Sequence, residues 1–350
     1  RGAMMLRQRG SVIIIVLWTS VLLTVLVTVM AGKVQLSAKT AFHNRAAVTD
    51  LARINSAVNQ AEMELMLERM VAPIDRVVEL DEDGNFRNPY YRFNGQPLTL
   101  YYPTDEDIVV RVYDHTGKVN LNGIRPAQLQ LLIEKRLGPD PDYQQVQDLI
   151  TAWNDWTDLN DGAGINGAEK EYYESLDPPY TPRNNGQLDS VEELRLIRGF
   201  DELFKDVNLD AAFTIYGNGQ NVNLNFATRE AMQILPGLTD EYIEEIIAYR
   251  EKHDFVSKQQ VGDLLPTENF VELSNWIGFT YSSIYSIFAY PKPPLENDER
   301  DEEELDNEAI DTVTQAYMEI VEISMDARAK VFKVDPYGRM PDSRPAQVED

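Results

Sequence analysis

The segment 7–32 reads RQRGSVIIIVLWTSVLLTVLVTVMAG and carries no charge after Arg9. As a helix, its apolar part would be about 30 Å long, which matches the hydrocarbon thickness of a bilayer. A cleaved secretory signal has a shorter apolar core, so the pattern predicts a membrane helix over 11–32. Three arginines and no acidic residue precede it. We therefore expect the N-terminus in the cytoplasm and the rest of the chain outside.

The helix is predicted to continue to residue 72, because 33–72 contains neither Gly nor Pro and Pro73 would end it. In its second half, apolar residues recur at steps of three and four, which marks one face of a helix. These residues are Leu51, Ile54, Val58, Ala61 and Leu65. We expect this face to pack against a soluble domain and against neighbouring subunits in an assembly.

Composition limits the chemistry of the exterior. The chain has 350 residues, of which 43% are hydrophobic, enough for about two domains. Lys and Arg total 32 against 58 Asp and Glu, and the net charge of −26 disfavours binding to nucleic acid. The absence of cysteine excludes disulfides, thiolate metal sites and a cysteine nucleophile, and the three histidines lie far apart in the sequence. A functional site would therefore be built mainly from carboxylates, amides and backbone groups.

Three zones read as β-structure. The first comprises 107–113 and, after a turn, 118–122. The second is 279–290. The third, 321–331, alternates apolar with polar residues and predicts one strand with a buried face.

The sequence between these zones reads as helical, so we predict an α+β domain that carries an inserted α-helical domain. The predicted parts are a sheet domain in two pieces, 73–118 and 279–335, and an insert over 119–278. Residues 296–308 hold nine acidic residues and one Arg, which predicts a solvated acidic loop within the second piece. Residues 336–350 are expected to form a flexible tail.

Residues 225–250 resemble a helix-hairpin-helix (SAM-like) unit. Gly237 would allow the tight turn and Thr239 would cap the second helix. Ile243, Ile246 and Ile247 would face the first helix. In DNA-repair proteins such hairpins bind phosphate on backbone amides, but 222–266 holds eight acidic residues against four basic ones. This charge favours a packing or protein-contact role over nucleic-acid binding.

The densest polar cluster lies at 153–172. Carboxylates and an amide on a Gly-containing loop supply the hard oxygen ligands that Ca²⁺ prefers. Asp158, Asn160 and Glu169 occupy relative positions 1, 3 and 12, as in an EF-hand loop, although the sixth position is Ala163 where that motif requires Gly. A generic acidic loop is the alternative. Catalytic carboxylates, as in a membrane-anchored hydrolase, would need an acid and a base paired in a cleft.

The junction at Gly10 and Ser11 resembles the class III signal of type IV pilins and pseudopilins, in which a short basic leader, here 1–10, ends in Gly before an apolar helix. The resemblance implies cleavage between Gly10 and Ser11 by a prepilin peptidase and methylation of the new amine on Ser11. Most such proteins carry Glu at the fifth mature position, where it offsets the ammonium of a neighbouring subunit. Ile15 occupies that position here, which points to a subunit at the filament tip.

Five elements in one order extend the resemblance over 8–290. The leader junction is followed by Asp-Trp-Thr-Asp at 155–158, Gly-Ala-Glu at 167–169, the segment 172–199 and the helix hairpin. This order resembles the K-type minor pseudopilins of the type II secretion system, the GspK family. The resemblance implies a type IV pilin-like fold, a long N-terminal helix packed on an antiparallel sheet, with the helical insert. It also implies calcium in the insert, at the following candidate ligands: Asp155, Asp158, Asn160, Asp161 and Glu169.

The resemblance further implies a structural protein without enzymatic activity, anchored once in the inner membrane with its bulk in the periplasm. Its expected partners are the I and J minor pseudopilins at the pseudopilus tip and, through them, the H pseudopilin and the major pseudopilin G. The inner-membrane assembly platform and the prepilin peptidase are further expected partners, and no nucleic acid is expected. The alternative is a minor pilin of a type IV pilus or DNA-uptake machine that uses the hairpin.

Overall fold

The computed structural model describes residues 9–69, 93–98, 100, 107–182, 186–292, 313–324 and 329–341. The predicted helix end at 70–72, the acidic loop 296–308 and the last part of the predicted tail, 342–350, lie outside the described residues. The chain divides into two compact units, Arg1–Asn55 and Ser56–Asp350. One helix, α1, contributes to both.

Helix α1 runs continuously over Arg9–Arg69. Every residue described from 13 to 49 is exposed, and Ile13–Leu67 is long and apolar enough to cross a membrane. Within the apolar part, threonine hydroxyls donate to carbonyl oxygens one turn earlier, as Thr24 does to Ser20 at 2.8 Å. These bonds satisfy the hydroxyls inside the helix, as a hydrocarbon environment requires. The helix therefore fits a single-pass membrane anchor.

Within the described residues, seven strands form two sheets. They are β1 Asn94–Pro97, β2 Ile108–Asp114, β3 Val119–Asn120, β4 Phe213–Thr214, β5 Ile284–Pro291, β6 Gln315–Ile323 and β7 Ala329–Arg339. Strands β1-β2-β5-β6-β7 pair in that order as an antiparallel sheet, and β3 pairs with β4 in parallel. Phe288 of β5 and its cross-strand partner Met318 of β6 are both buried in one apolar cluster. The predicted α+β class with an antiparallel sheet and a long N-terminal helix is confirmed.

The chain between β2 and β5 is largely helical and has its own apolar core. Its helices are α2 Pro126–Leu137, α3 Tyr143–Thr157, α4 Lys170–Glu174, α5 Phe200–Leu203, α6 Leu209–Ala212, α7 Arg229–Ile234, α8 Asp240–Lys252, α9 Lys258–Leu264 and α10 Thr267–Ser274. Short 3₁₀ helices cover His115–Gly117, Leu121–Gly123 and Val191–Leu196. Because β2 and β5 are neighbours in the sheet, this helical region interrupts a single strand pair.

A buried polar network connects the helical region to the sheet. His115 shares hydrogen bonds with Thr214 of β4 at 2.7 Å and Ser286 of β5 at 2.8 Å. Lys118 donates to the Asp210 carbonyl of α6 at 2.7 Å and to Ser286 at 3.1 Å. Burial lowers the pKa of Lys118 to about 8, although the charge of Asp210 opposes the shift. Burial and the nearby Lys118 charge hold the pKa of His115 well below its usual value. We call these five residues the junction network.

The prediction of one strand over 321–331 is wrong. Strand β6 ends at Ile323, β7 begins at Ala329, and Val321 pairs with Val331 across a β-hairpin. Two neighbouring antiparallel strands alternate with the same period of two, so the sequence pattern does not show that there are two strands.

The predicted start of the tail at residue 336 is also wrong. Strand β7 includes Pro336 and continues to Arg339, and Met340 donates to the Thr314 carbonyl at 2.9 Å. Proline is tolerated because β7 is an edge strand with a register shift near this position. The Asn208 amide also donates to the Met340 carbonyl, at 3.1 Å. Residues 336–340 are therefore part of the fold.

The predicted strand 118–122 is shorter, with only Val119–Asn120 in β3. The Asn120 side chain accepts hydrogen bonds from the backbone amides of Asn122 and Gly123, at 3.1 and 3.2 Å, which turns the chain. Strand β3 pairs with β4 of the helical region and not with β2. The strand therefore begins the helical region instead of extending the large sheet.

Candidate functional site

Helix α3 places Asp155 at the base of the candidate metal site. The Asp142 side chain caps the helix by accepting from the Gln144 amide at 3.2 Å. The apolar face of α3 buries, among others, Ala152 and Trp156. Asp155 lies on this buried side, in the last helical turn, and is 3% exposed. A carboxylate at this depth requires hydrogen bonds or a cation.

The loop after α3 supplies hydrogen bonds to Asp155. The Gly164 amide donates to both carboxylate oxygens at 3.2 Å, and the Ala168 amide donates to Oδ2 at 2.8 Å. A Cβ at residue 167 would lie 1.8 Å from Asp155 Oδ2, so the close approach requires Gly167. We call residues 164–168 the carboxylate cradle. The sequence reading missed this role, and the glycines at 164 and 167 were its only signal.

The first part of the loop is organised around Asp158, which follows the last residue of α3. The Asn160 backbone amide donates to Asp158 Oδ1 at 3.0 Å and its side-chain amide to Oδ2 at 2.7 Å. The Gly162 amide in turn donates to Asn160 Oδ1 at 2.7 Å. These local turns, favoured by Asp and Asn, direct the loop back toward α3.

Three of the five predicted ligands converge. Carboxylate oxygens of Asp155, Asp158 and Glu169 lie within 4.8 Å of one another. Glu169 is 5% exposed and precedes the first turn of α4. Asn160 contacts Asp158, whereas Asp161 is exposed and does not belong to the group of three. Of the four predicted carboxylate ligands, three lie together and Asp161 lies outside the group.

The three carboxylates fit a hard divalent cation. Oxygen ligands on a flexible loop suit Ca²⁺, whereas Mg²⁺ requires near-octahedral geometry. Three negative charges this close, two of them on buried residues, repel one another unless a cation offsets them. Asp155, Asp158 and Glu169 would hold the ion, and the amides of the carboxylate cradle would fix the direction of Asp155.

The helix hairpin forms as predicted but its turn is buried. Helices α7 and α8 are joined by a turn in which Gly237 has φ +79°, and Thr239 caps α8 through the Tyr242 amide. Ile243 and Ile246 are fully buried, and Ile247 is partly buried. Asn269 of α10 covers the turn, donating to the Gly237 carbonyl at 2.9 Å.

Burial of the hairpin turn bears on phosphate binding. Residues 235–238 are buried, and the backbone of the turn is therefore shielded from solvent. The geometry therefore supports the packing role of the hairpin that its acidic charge predicted.

The candidate subunit contacts on α1 divide into two groups. Val58, Ala61 and Leu65 are 3% or less exposed, because this part of α1 packs in the fold of its own chain. Their burial agrees with the expected packing against the soluble domain and leaves almost no surface of these three residues for a neighbouring subunit. Leu51 is 46% exposed and Ile54 is partly exposed.

The remaining predicted residues on α1 lie near its start. Ile15 is 61% exposed. The predicted processing residues Gly10 and Ser11 lie in the first turn of the helix. Residues 1–8 of the predicted leader are outside the described residues.

Comparisons with known proteins agree with the resemblance. Residues 117–206 match the family model for type II secretion system (T2SS) protein K. The chain is 26% identical over 278 residues to type II secretion system protein K of Aeromonas hydrophila, covering 73% of this chain and 77% of the relative.

The fold is similar to that of a solved secretion-system chain. That chain belongs to the crystal structure of the GspK-GspI-GspJ complex from the enterotoxigenic Escherichia coli type 2 secretion system, with a TM-score of 0.51 and 13% sequence identity. The match covers 87% of this chain and 99% of that chain. The sequence matches and the shared fold therefore lead to the same conclusion, that this chain is similar to type II secretion system protein K.

Proposed function

We propose that this chain caps the tip of the periplasmic pseudopilus, whose growth drives folded proteins across the outer membrane. The observation that carries the proposal is the division of α1 into two environments. Residues 13–49 are exposed along a largely apolar helix, whereas Val58, Ala61 and Leu65 are buried in the fold. An apolar helix of this length is stable only when lipid or neighbouring apolar helices cover it. In a subunit that moves from the inner membrane into a helical filament, lipid covers this helix before assembly and neighbouring helices cover it afterwards.

Two features support a place at the tip. Ile15 stands where most pilin-like subunits have Glu, so the chain offers no carboxylate to the ammonium of a subunit above it. The helical region between β2 and β5 adds bulk that a shaft subunit would have to accommodate. The related fold was solved in a complex named for GspK, GspI and GspJ, which supports the I and J minor pseudopilins as partners here.

The proposal includes the path to that position. The prepilin peptidase would cleave between Gly10 and Ser11 and methylate Ser11, and the assembly platform would then extract the anchored subunit. The I and J proteins would connect the tip to the H pseudopilin and to the major pseudopilin G. The bulk of the chain would lie in the periplasm, and no side chain would perform covalent chemistry in this role.

The tip role is tested by assembly of the full chain with the I and J pseudopilins in detergent. We expect a stable complex by size-exclusion chromatography with light scattering. Leu51→Asp is expected to weaken the complex without unfolding the chain, because Leu51 is exposed in the isolated subunit. Lys252→Asp, on the exposed end of α8, is the control. Absence of a complex with the unaltered chain would refute the role.

We propose that Asp155, Asp158 and Glu169 bind Ca²⁺ and thereby stabilise the helical region. The support is the convergence of three oxygen ligands from segments 14 residues apart in sequence, with two of the residues buried. Asp158→Ala is expected to lower the melting temperature when Ca²⁺ is present and to leave it nearly unchanged in a chelator. Isothermal titration of the unaltered chain with Ca²⁺ is the direct measurement, and a flat titration would remove the assignment.

A further inference from the structure

Arg198 contacts the metal loop from outside the ligand set. Its Nη1 donates to the Gly167 carbonyl at 2.9 Å, and its Nη2 donates to the Asn166 carbonyl. Both carbonyls belong to the carboxylate cradle, two and three residues before Glu169. A guanidinium presents its donors as a rigid fork, so two bonds fix both the position and the direction of this backbone segment.

The same arginine also contacts the segment after Glu169. Its backbone amide donates to the Tyr173 hydroxyl at 3.2 Å, and its guanidinium lies 5.4 Å from the centre of the Tyr172 ring. Tyr172 and Tyr173 are on α4, which begins immediately after Glu169. Tyr173 is fully buried and provides a fixed support. Arg198 therefore holds the chain on both sides of the predicted ligand.

We propose that Arg198 is a positioning residue for the metal, which sets the place of Glu169 relative to Asp155 and Asp158. The inference rests on the proposed calcium site. Glu169 comes from a different segment than the other two carboxylates, and its approach depends on how the loop closes. Without Arg198, the ion would have to order the loop on binding, and the entropy cost would reduce affinity.

The expected loss of Ca²⁺ affinity follows from the role of Arg198 outside the ligand set. Outer residues that orient metal ligands typically change affinity by about 10–100-fold when they are replaced. Lysine keeps the positive charge but offers a single ammonium in place of the fork, so Arg198→Lys should lose one of the two carbonyl contacts. We therefore expect the affinity for Ca²⁺ to fall by roughly 10-fold or more.

The test uses the full chain in nonionic detergent, with Ca²⁺ titrated calorimetrically and Tb³⁺ as a luminescent probe excited through tryptophan. Arg198→Lys should weaken Ca²⁺ binding by about 10–100-fold, and the Tb³⁺ lifetimes in H₂O and D₂O should show an extra bound water where Glu169 has moved away. Arg195→Lys is the matched control, because Arg195 is 41% exposed and lies 3.7 Å from Asp201. The control should bind Ca²⁺ as the unaltered chain does.

The outcomes separate the inference from the calcium site. If the unaltered chain binds Ca²⁺ and Arg198→Lys binds it equally well with unchanged lifetimes, the positioning role is overturned and the site stands. An unaltered chain that does not bind Ca²⁺ overturns both. A melting temperature of Arg198→Lys that falls equally with and without Ca²⁺, at unchanged Ca²⁺ affinity, would show a purely structural role and would also overturn the inference.

A second variant covers the case in which Arg198→Lys does not fold. Tyr173→Phe keeps the ring but removes the hydroxyl that accepts from the Arg198 amide. Several-fold weaker Ca²⁺ binding is then expected, and unchanged affinity in this variant overturns the role.

Discussion

The junction network predicts an unusual response to replacement of a lysine. Lys118 is 3% exposed, and burial lowers its pKa from 10.5 to about 8. Such a shift corresponds to about 3 kcal/mol of unfavourable free energy for the protonated form in the folded chain. Between pH 8 and 10.5 the unfolded chain binds more protons at this site than the folded chain does. Stability should therefore rise with pH in that window.

Lys118→Met removes the buried charge together with two hydrogen bonds, to the Asp210 carbonyl and to Ser286. Each bond contributes about 1 kcal/mol. At pH 7 the variant should therefore be more stable than the unaltered chain by about 1 kcal/mol, which is roughly 2–4 °C in melting temperature. At pH 10 the unaltered lysine is mostly neutral and keeps its hydrogen bonds, so the order of stability should reverse.

Thermal unfolding of the full chain in nonionic detergent, followed by tryptophan fluorescence at pH 7 and pH 10, measures both differences. Lys252→Met, at the exposed end of α8, is the control and should show neither the gain nor the reversal. A variant that is less stable at pH 7, or whose difference from the unaltered chain is the same at both pH values, would refute the reasoning about the buried charge.

Three further results are expected from thermal unfolding of the full chain. Leu65→Ala should lower the free energy of unfolding by about 2–4 kcal/mol, because the Leu65 side chain is 2% exposed. Leu51→Ala is the control and should lower it by less than about 1 kcal/mol, because Leu51 is 46% exposed. Equal losses would contradict the division of α1 into an exposed and a buried part. Gly167→Ala should destabilise by about 1–3 kcal/mol, since the new Cβ meets a carboxylate oxygen, while Gly219→Ala has open space and should be nearly neutral. Because the pKa of His115 is lowered in the folded chain, the unfolded chain binds more protons there below about pH 6.5, and stability should fall as the pH drops. His115→Gln should make this fall less steep. An unchanged dependence of stability on acid pH in the variant would contradict the role of His115.

Local patterns predicted much of the fold. The long helix followed from an uncharged run and the absence of helix breakers, and the α7–α8 hairpin followed from Gly237 and its cap at Thr239. The missed boundary between β6 and β7 has a local cause. A period of two reports that a residue is in a strand but not where one strand ends and the next begins, so the β6–β7 hairpin read as a single strand.

The candidate site shows the same limit. Loop spacing indicated Asp158 and Glu169, and composition indicated Asp155, which the structure brings together. Exposed Asp161 has the same chemistry, and the sequence does not distinguish it from the other three. Arg198 had no signal at all, because it reaches the loop from a segment about thirty residues away through contacts to backbone carbonyls.

The sequence by itself indicated an N-terminal helix that fits a membrane anchor, because a stretch that long and uncharged must be covered by something other than water. It also indicated that a largely helical region separates zones of β-structure, since the periods of apolar residues are local. Only the tertiary structure decided that Val58, Ala61 and Leu65 belong to the chain's own core. The hydrogen bond from buried Lys118 to the Asp210 carbonyl is likewise visible only in the tertiary structure. Such choices depend on which distant surfaces meet when the chain closes, and local sequence carries no record of that geometry.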